Sequence, residues 1–595
     1  MIKLYHRANM VLIRCLAILS REFTVVFRKW RGRAANLAGW GSSRVRYDEW
    51  IARYDSKDDS LCDAIAVSIA AMPRLPLISV VMPVYNPVPA FLESAIQSVR
   101  NQLYPHWELC IADDASTDPR IAEILRKHRD ADHRIKVVFR VKNGHISEAS
   151  NSALELVTGE YIALLDHDDM LAQQALYRAA VEIVSHPEAM LIYSDEDKID
   201  TEGKRSDPHF KSDWNPDLFL TCNMINHLGV YKTSIIREIG GFRKGLEGAQ
   251  DYDLGLRFIE KTGPGTIRHI PRILYHWRLH ENSMSLVPES KPYAETAAER
   301  AINDYFDRQG LKAKATHAVF GYRTRYALPV PPPRVSLIIV GRNAALLSNC
   351  IRTLLDKSTY SNLEILAVGK APPSLIKCLG DERVRILGHG EARGKSALRN
   401  RAAAMASGTV LGFIDSSLEA LSEDWLEEMA SHACRPEVGA VGARLFYPGT
   451  RLYHGGMILG MRGKVAGYAH RGRRHAGYYG RAALTQCFSA VSGRCMFIRK
   501  ELFQQVSGFN EALSNFADVD LCLRLREAGY RNIWTPYAQF RFLGICQGFP
   551  RKGEIAYMKE NWGSLLACDP AYNPNLTLDF EDFSLAHTPR VRISP

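Results

Sequence analysis

One pattern of apolar strands and helices occurs twice along this 595-residue chain. In the first copy the sequence predicts strands at 77–82, 108–112 and 135–139, with helices at 90–101 and 120–128 between them. The second copy follows the proline-rich segment 329–333, where 335–340 repeats the first strand and 408–415 repeats 159–166. Because strands that alternate with helices form parallel, doubly wound sheets, we predict two related α/β modules.

The length of the chain also indicates several domains, since one hydrophobic core rarely serves so many residues. The twelve cysteines are scattered and form no Cys-x-x-Cys pair, which excludes a zinc pattern or small disulfide scaffold and fits a reducing cytoplasm. We predict an N-terminal region at 1–75, a first module at 76–328, an extended linker at 329–333, a second module at 334–550 and a C-terminal tail at 551–595.

The first 33 residues carry most of the positive charge. They hold eight Lys or Arg residues against one Glu, a net +7 that leaves only +4 of the total +11 for the rest, so nucleic acid is not an expected partner. Arg7, Arg14, Arg21 and Arg28 recur every seven residues and share one helical stripe, with an apolar face opposite. This pattern predicts a basic amphipathic helix, too interrupted to span a bilayer, that lies on an anionic membrane. The alternative is a helix packed on the protein's own core.

Residues 161–169 form an apolar strand that ends in three carboxylates, Asp166, Asp168 and Asp169. In open α/β sheets the carboxyl ends of the strands border the ligand crevice. An Asp-x-Asp pair at such an end can hold one divalent cation, Mg²⁺ or Mn²⁺, while phosphate oxygens and water complete the coordination. The alternative is a solvated turn before a helix that starts near Leu171, since short motifs often match by chance.

Four motifs of the first module stand together in a known order. They are Met-Pro-Val-Tyr-Asn at 82–86, Ile-Ala-Asp-Asp-Ala-Ser-Thr-Asp at 111–118, Asp-His-Asp at 166–168 and Gln-Asp-Tyr-Asp at 250–253. In these motifs the sequence resembles the family-2 glycosyltransferases, nucleotide-sugar-dependent enzymes, and within them the bacterial rhamnosyltransferase-like proteins of surface-polysaccharide assembly. The resemblance covers about residues 76–549. It implies two tandem Rossmann-like, nucleotide-sugar-binding domains of the GT-A fold.

The resemblance assigns donor-binding roles near the first two strands. It gives Asp113 the contact to the base and places Pro83, Tyr85 and Asn86 along the nucleoside. A carboxylate of Asp113 or Asp114 suits the imide N–H of uracil or thymine, so a UDP- or dTDP-sugar is the expected donor. The alternative for the Asp-Asp pair is a helix cap or an Asx turn.

The resemblance assigns further roles near the strand that ends in the acidic run at 166–169. Asp166 would contact the ribose and Asp168 the metal, which leaves Asp169 to cap the following helix. Asn151 resembles the donor-side asparagine of the family, and Asn143 lies in the same polar loop. Hydrogen bonds within the loop remain the alternative for both asparagines.

The catalytic base and the closing segment come later in the chain. Asp251 is the predicted base for inverting transfer, at a place where the family usually shows Glu-Asp and this chain has Gln-Asp; the alternative is an acidic first turn of a helix. His276 is the predicted further metal or diphosphate ligand, and Arg278 can pair with phosphate oxygens. The alternative for this segment is a packed aromatic with solvated charges.

The second module departs from the family pattern at the donor and metal positions. Gly369-Lys370 stands at the place of Asp113-Asp114, and Val340 at that of Pro83. Ser417 replaces Asp168, and Arg541 falls near the place of His276. The acidic residues Asp415, Asp518 and Asp520 remain. A sheet that lacks these contacts should bind a nucleotide sugar poorly. We therefore predict a degenerate module with a structural or acceptor-binding role.

The leading functional hypothesis is an inverting, metal-dependent glycosyltransferase, peripheral on the cytoplasmic face of a bacterial inner membrane. It would move a sugar, with rhamnose one candidate, to a lipid-linked or cell-surface polysaccharide. Three alternatives stay open: a two-site polymerase with both modules active, a sugar-phosphate nucleotidyltransferase and a non-enzymatic carbohydrate-binding scaffold. The nucleotidyltransferase is disfavoured because Pro-Val-Tyr-Asn-Pro at 83–87 is not a glycine-rich phosphate loop.

Overall fold

A computed structural model describes residues 45–55, 59–280, 292–341, 343–369, 381–388, 390–472, 476–544 and 550–591. The predicted amphipathic helix at 1–33 and Lys370 of the second module lie outside these ranges. Within them, none of the helices combines the length and the apolar character that a membrane span requires.

The first module is built on a mixed sheet of nine strands. The strands are β1 (Ile78–Val84), β2 (Trp107–Asp113), β3 (Ile135–Phe139), β4 (Tyr161–Leu164), β5 (Met170–Leu171), β6 (Leu191–Ile199), β7 (Arg205–His209), β8 (Gly229–Lys232) and β9 (Ile267–Arg278). Their order is β3-β2-β1-β4-β8-β6-β9-β5, with β7 beside β6. The pairs among β1 to β4 are parallel, and every residue of β2 is buried, as expected for a strand covered on both faces.

Ten helices accompany this sheet in the described ranges. They are α1 (Tyr47–Tyr54), α2 (Asp59–Ala70), α3 (Pro89–Arg100), α4 (Pro119–Ala131), α5 (His145–Leu154), α6 (Ala175–Ser185), α7 (Pro216–Phe219), α8 (Thr233–Glu238), α9 (Gln250–Ile259) and α10 (Pro292–Arg308), with a 3₁₀ turn at Pro264–Thr266. Local sequence explains the start of α4, where the Asp118 carboxylate accepts a hydrogen bond from Arg120 N at 3.0 Å and Pro119 follows. A hairpin of β10 (Ala313–His317) and β11 (Tyr322–Tyr326) leads to the linker.

The second module repeats this sheet. Its strands are β12 (Val335–Val340), β13 (Leu363–Val368), β14 (Val384–Leu387), β15 (Val410–Asp415), β16 (Leu418–Ala420), β17 (Val438–Phe446), β18 (Leu452–His454), β19 (Met457–Leu459), β20 (Ala466–Tyr468), β21 (Gln486–Phe488), β22 (Cys495–Arg499) and β23 (Arg531–Phe542). The main order, β14-β13-β12-β15-β22-β17-β23-β16, matches the first sheet strand for strand, and β19 with β20 forms a separate hairpin. The predicted fold class of two α/β modules is thus confirmed.

The described helices of the second module are α11 (Ala344–Asp356), α12 (Lys395–Met405), α13 (Trp425–Ala433), α14 (Lys500–Gln505), α15 (Ala517–Glu527) and α16 (Lys552–Ala567), with 3₁₀ turns at Met461–Gly463 and Tyr478–Ala483. The duplication extends to buried polar contacts. Ser79 donates to Glu108 in the first module and Ser336 donates to Glu364 in the second, both at 2.6 Å.

The segment after the second module, for which the sequence predicts a tail, is folded against both modules. Trp562 Nε1 donates to Asp520 Oδ1 of the second module at 3.2 Å. Asn573 Nδ2 donates to Asp195 Oδ2 of the first at 2.9 Å, and both residues are buried. Residues 550–591 therefore tie the two modules together.

A buried carboxylate holds the direct interface between the modules. Asp217 of α7 lies 2.6 Å from Arg435 Nη1 and 3.2 Å from Arg531 Nε, both in the second module. Burial alone would raise the pKa of Asp217, but the charges of the two arginines outweigh it and hold the pKa below its usual range. The carboxylate is therefore charged in the folded protein and depends on partners from the other module.

Asp217→Asn should loosen this interface. Removing one partner of a buried ion pair typically costs about 3–5 kcal/mol, because the remaining charge is left buried without compensation. Guanidinium unfolding followed by tryptophan fluorescence measures the change. The matched control is Asp356→Asn, whose partner Arg352 lies 3.3 Å away with both side chains 59% exposed, and which should cost less than about 1 kcal/mol. Equal effects of the two variants would contradict this account of the interface.

Candidate functional site

The carboxyl ends of β1, β2 and β4 meet at one edge of the first sheet. The parallel register pairs Val84 with Asp113, and Val81 with Leu164, so the chain that follows β4 runs beside the end of β1. His167 Nδ1 lies 3.2 Å from the carbonyl oxygen of Pro83 in consequence. The structure thus brings together the predicted nucleoside segment and the acidic run at 166–169.

Asn86 links the loops that follow β1 and β2. Its Oδ1 accepts from Thr117 N at 2.8 Å, and its backbone N–H donates to Ser116 Oγ at 2.9 Å. Asp113 is buried and accepts from Ser116 N at 3.3 Å. Tyr85, which directly precedes Asn86, is 46% exposed. These contacts join the two loops, and the predicted roles of these residues toward a nucleoside stay predictions.

Asp114 and Asn143 serve the loop that precedes α5. Asp114 is buried and lies 2.7 Å from Arg140 Nε, and it also accepts from Gly144 N at 2.9 Å. Asn143 Oδ1 accepts from His145 N at 3.1 Å, an Asx turn. The Asp114 carboxylate is therefore engaged within the protein, and the contact of Asp113 with a base stays a prediction.

Asn151 clamps a backbone segment in a way that the second module repeats. Its Nδ2 donates to Phe242 O and its Oδ1 accepts from Phe242 N, both at 2.8 Å. Asn400 holds Phe509 with the same two hydrogen bonds, at 2.8 and 2.9 Å. These contacts match the alternative of internal hydrogen bonds and give no support to a donor-side role for Asn151.

Asp169 does not cap a helix, and that prediction is wrong. Its chain enters β5, which pairs with β9, and α6 begins only at Ala175 with no side-chain cap. The buried Asp169 carboxylate instead accepts from Tyr275 Oη at 2.6 Å and from Arg278 N at 2.7 Å. Burial raises its pKa well above the usual value, and the neighbouring carboxylates Asp168 and Asp166 raise it further.

His227 joins Asp166 and Asp169 in a group that we call the acidic cluster. Sequence reasoning did not find this histidine. Among the residues that the structure describes, Asp166, Asp169 and His227 form the group of three whose ligand atoms lie within 4.8 Å of one another. Glu196 Oε2 lies 2.8 Å from His227 Nδ1. Burial lowers the pKa of His227, but the contact with Glu196 and the charges of Asp166 and Asp169 outweigh burial and raise the pKa to about 9. No local signal marks this histidine, because it reaches the cluster only through the pairing of β8 with β4.

The histidine beside Asp168 is His280, not His276. His280 Nε2 lies 2.8 Å from Asp168 Oδ2, while Arg278 Nε donates to the carbonyl oxygen of Asp168 at 2.7 Å. His276 stands opposite Asp197 in the register of β6 and β9, and its Nδ1 lies 2.6 Å from Asp197 Oδ1. The geometry therefore does not bring His276 to the predicted metal ligand.

Asp251 lies in the first turn of α9, close to the acidic cluster. Asn223 Nδ2 donates to Asp251 Oδ2 at 2.9 Å. Burial raises the pKa of Asp251, the charge of His227 opposes this shift, and the charge of Asp166 adds to it. This carboxylate is therefore a stronger base than an ordinary aspartate and is oriented by one amide.

The other carboxylate of the same motif has a structural role. Asp253 is fully buried and accepts from Arg257 Nε at 2.8 Å, four residues along α9. Asp520 and Arg524 of α15 repeat this pair at 2.9 Å. The acidic-first-turn alternative thus describes Asp253, while Asp251 remains the candidate base.

In the second module, cations surround the carboxylate that corresponds to Asp166. Asp415 lies 2.9 Å from Lys395 Nζ and 3.2 Å from Arg494 Nη1, and it accepts from Ser417 Oγ at 2.6 Å. Arg494 occupies the place of His227 in the register of β15 and β22. Burial would raise the pKa of Asp415, but Lys395 and Arg494 hold it below its usual range. The negative charge that a metal would use is already neutralised by side chains.

Comparison with known proteins agrees with this duplication. The sequence profile of "Glycosyl transferase family 2" matches residues 79–240 and 336–507. The uncharacterized protein y4gI of Sinorhizobium fredii is 41% identical over 93% of this chain, and the O-antigen biosynthesis protein RfbC of Myxococcus xanthus is 33% identical over 92%. The chain spans 63% and 44% of the lengths of these two relatives. A chondroitin synthase of Escherichia coli is 29% identical over 41% of this chain and 35% of its own length.

Proposed function

We infer the function from one premise, that this chain belongs to glycosyl transferase family 2 and carries two tandem GT-A modules. We propose that its first module transfers a sugar with inversion from a nucleoside-diphosphate donor. The acceptor would be a growing cell-surface or lipid-linked polysaccharide, in keeping with the name of the O-antigen relative. One observation carries the proposal: Asp251, a carboxylate with a raised pKa, lies beside the acidic cluster at the sheet edge where the donor residues converge.

The proposed base follows from the geometry of Asp251. Inverting transfer needs a group that accepts the proton of an acceptor hydroxyl as its oxygen attacks the anomeric carbon. A carboxylate with a raised pKa accepts this proton more readily than an ordinary aspartate, and Asn223 fixes the orientation of Asp251. The buried Asp113 would read a uracil or thymine at the other end of the crevice, with UDP- or dTDP-sugars as donors.

The donor set at the end of β4 fits a divalent cation. Asp166 and Asp168 offer carboxylate oxygens, the ligands that Mg²⁺ and Mn²⁺ prefer, and His280 is the imidazole within reach of Asp168. A metal bound there would neutralise the departing diphosphate. Arg278 holds the backbone of Asp168 in place and adds a positive charge on the same side.

The proposed role of the second module is not transfer. Lys395 and Arg494 neutralise Asp415, and Ser417 replaces the second carboxylate of the Asp-x-Asp pair. A polymerase with two working donor sites would need that charge free for a metal. We therefore assign chemistry to the first module alone.

Attachment to the membrane surface is part of the proposal and rests on residues 1–33. Their basic stripe and apolar face suit an anionic membrane, which would bring the first module to a lipid-linked acceptor on the cytoplasmic side.

Asp168→Asn should abolish metal-dependent turnover. Losing an anionic ligand should weaken metal affinity by at least the roughly 10–100-fold that loss of an outer-shell partner costs. Hydrolysis of a panel of UDP- and dTDP-sugars, titrated with Mn²⁺, measures it. The matched control, Asp415→Asn, should leave the Mn²⁺ dependence unchanged. Near-normal activity of Asp168→Asn would remove Asp168 from the metal site.

Asp251→Asn should remove transfer and leave the donor bound. We expect kcat to fall about 10²–10⁴-fold, the usual contribution of a general base, while UDP affinity by calorimetry stays within about twofold. In the native protein the rate should fall as pH drops through the raised pKa of Asp251, because protonation removes the base. Asp518→Asn of the second module is the control and should transfer normally. Parallel losses of rate and UDP affinity in Asp251→Asn would place Asp251 in the donor site instead.

Deleting residues 1–33 should release the protein from vesicles of anionic lipid. Each basic residue near such a surface contributes about 1 kcal/mol, and salt screens the attraction. Co-sedimentation with phosphatidylglycerol vesicles at low and high salt measures the loss, with neutral vesicles as the control. Unchanged sedimentation of the shortened protein would contradict the membrane role.

A further inference from the structure

We propose that the second module holds part of the first module's active site in position, with Tyr479 acting as a positioning residue for His227. This inference rests on the proposed function for its consequence in catalysis. It gives a structural role to the second module, whose own carboxylate Asp415 is neutralised by Lys395 and Arg494.

The contact begins where the second module meets the end of β7. The ring of Tyr479 stacks on His209, with centroids 3.9 Å apart and planes at 14°. The Tyr479 hydroxyl donates to the carbonyl oxygen of Asp207 at 2.6 Å. The adjacent Tyr478 hydroxyl accepts from Phe210 N at 2.8 Å. Two tyrosines of the second module thus fix both the backbone and the imidazole of this segment.

A single carboxylate carries the contact inward. Glu196 of β6 lies with Oε1 3.0 Å from His209 Nδ1 and with Oε2 2.8 Å from His227 Nδ1. The same Oε2 accepts from the backbone N–H of His227 at 3.0 Å. Because Glu196 is only 9% exposed, its carboxylate has little room to adjust independently of the two imidazoles that it bridges.

His227 connects Glu196 to the acidic cluster and to the proposed base. Its ligand atoms lie within 4.8 Å of those of Asp166 and Asp169, and it interacts electrostatically with Asp251. Its ring stacks on Tyr275 at 4.5 Å and 16°. Stacking fixes the plane of the ring but not its rotation within that plane, which the hydrogen bond from Nδ1 to Glu196 sets. A shift of Glu196 would therefore move Nε2 of His227 at the acidic cluster.

The interface at Asp217 provides a contrast. Asp217, Arg435 and Arg531 hold the two modules together through buried charge. Tyr479 is 39% exposed, so its ring adds little to the hydrophobic core. The Asp217 ion pairs therefore stabilise the interface between the modules, whereas the Tyr479 contact leads to the acidic cluster. Loss of the Tyr479 contact should affect turnover more than stability.

The test compares two substitutions of the same residue in the full-length protein. Tyr479 has a φ of 47°, a left-handed conformation that Asn tolerates well, so Tyr479→Asn removes the ring without a new backbone strain. Tyr479→Phe keeps the ring stacked on His209 and removes only the hydroxyl, which holds the backbone of Asp207 and does not contact the imidazole that leads to Glu196. Tyr530→Asn is the control within the second module, since the Tyr530 hydroxyl faces Gln505 of the same module.

We expect Tyr479→Asn to lower kcat about tenfold, because small misplacements at a reacting centre cost up to about a hundredfold. The KM for the UDP- or dTDP-sugar turned over by the native protein should change less than about twofold, since the nucleoside contacts are untouched. Tyr479→Phe and Tyr530→Asn should retain kcat within about twofold. An unchanged kcat in Tyr479→Asn, or an equal loss in Tyr479→Phe, would overturn the proposal.

Hydrogen–deuterium exchange tests the same contact without any substrate. The backbone N–H of His227, bonded to Glu196, should exchange faster in Tyr479→Asn and at the native rate in Tyr479→Phe. Faster exchange in a protein that turns over no donor in the panel would support the contact and reject the proposed function. Native exchange in Tyr479→Asn would reject the contact whatever the activity.

Discussion

Negative charge at the end of one buried strand is the constraint on which both modules depend. Asp166 stands two residues after the end of β4, and Asp415 ends its counterpart β15, and each carboxylate needs a positive partner. In the first module, His227 lies near Asp166 and His280 lies 2.8 Å from Asp168. In the second, Lys395 and Arg494 supply the positive charge from side chains. One backbone architecture thus supports two electrostatic environments around the equivalent carboxylate.

The two modules do not behave as independent units. Asp217 and its two arginines bury charge at their interface, and residues 550–591 contact both sheets. A duplicated module whose proposed role is not transfer can be retained because its partner needs it. The Tyr479 contact gives this dependence a route to the acidic cluster, since it ends at Glu196 and His227.

Local sequence patterns predicted the elements of the site well and its cross-sheet partners poorly. The strands at 77–82 and 108–112 and the acidic end at 166–169 occur where expected, because apolar periodicity and strand ends are local properties. Asp169 was expected to cap a helix, but the following residues pair with β9 and bury it against Tyr275. The histidine expected near the metal was His276, whereas register placed it opposite Asp197.

The sequence by itself determined two α/β modules, their duplication, the family to which they belong and the residue replacements in the second copy, since each depends on residues close together in the chain. Tertiary structure decided which histidines stand at the acidic cluster and which residues of the second module reach the first. His227 and His280 lie far from Asp166 and Asp168 in sequence, and strand pairing alone brings them within a few ångströms. Such partners depend on the register of distant strands, which no local pattern encodes.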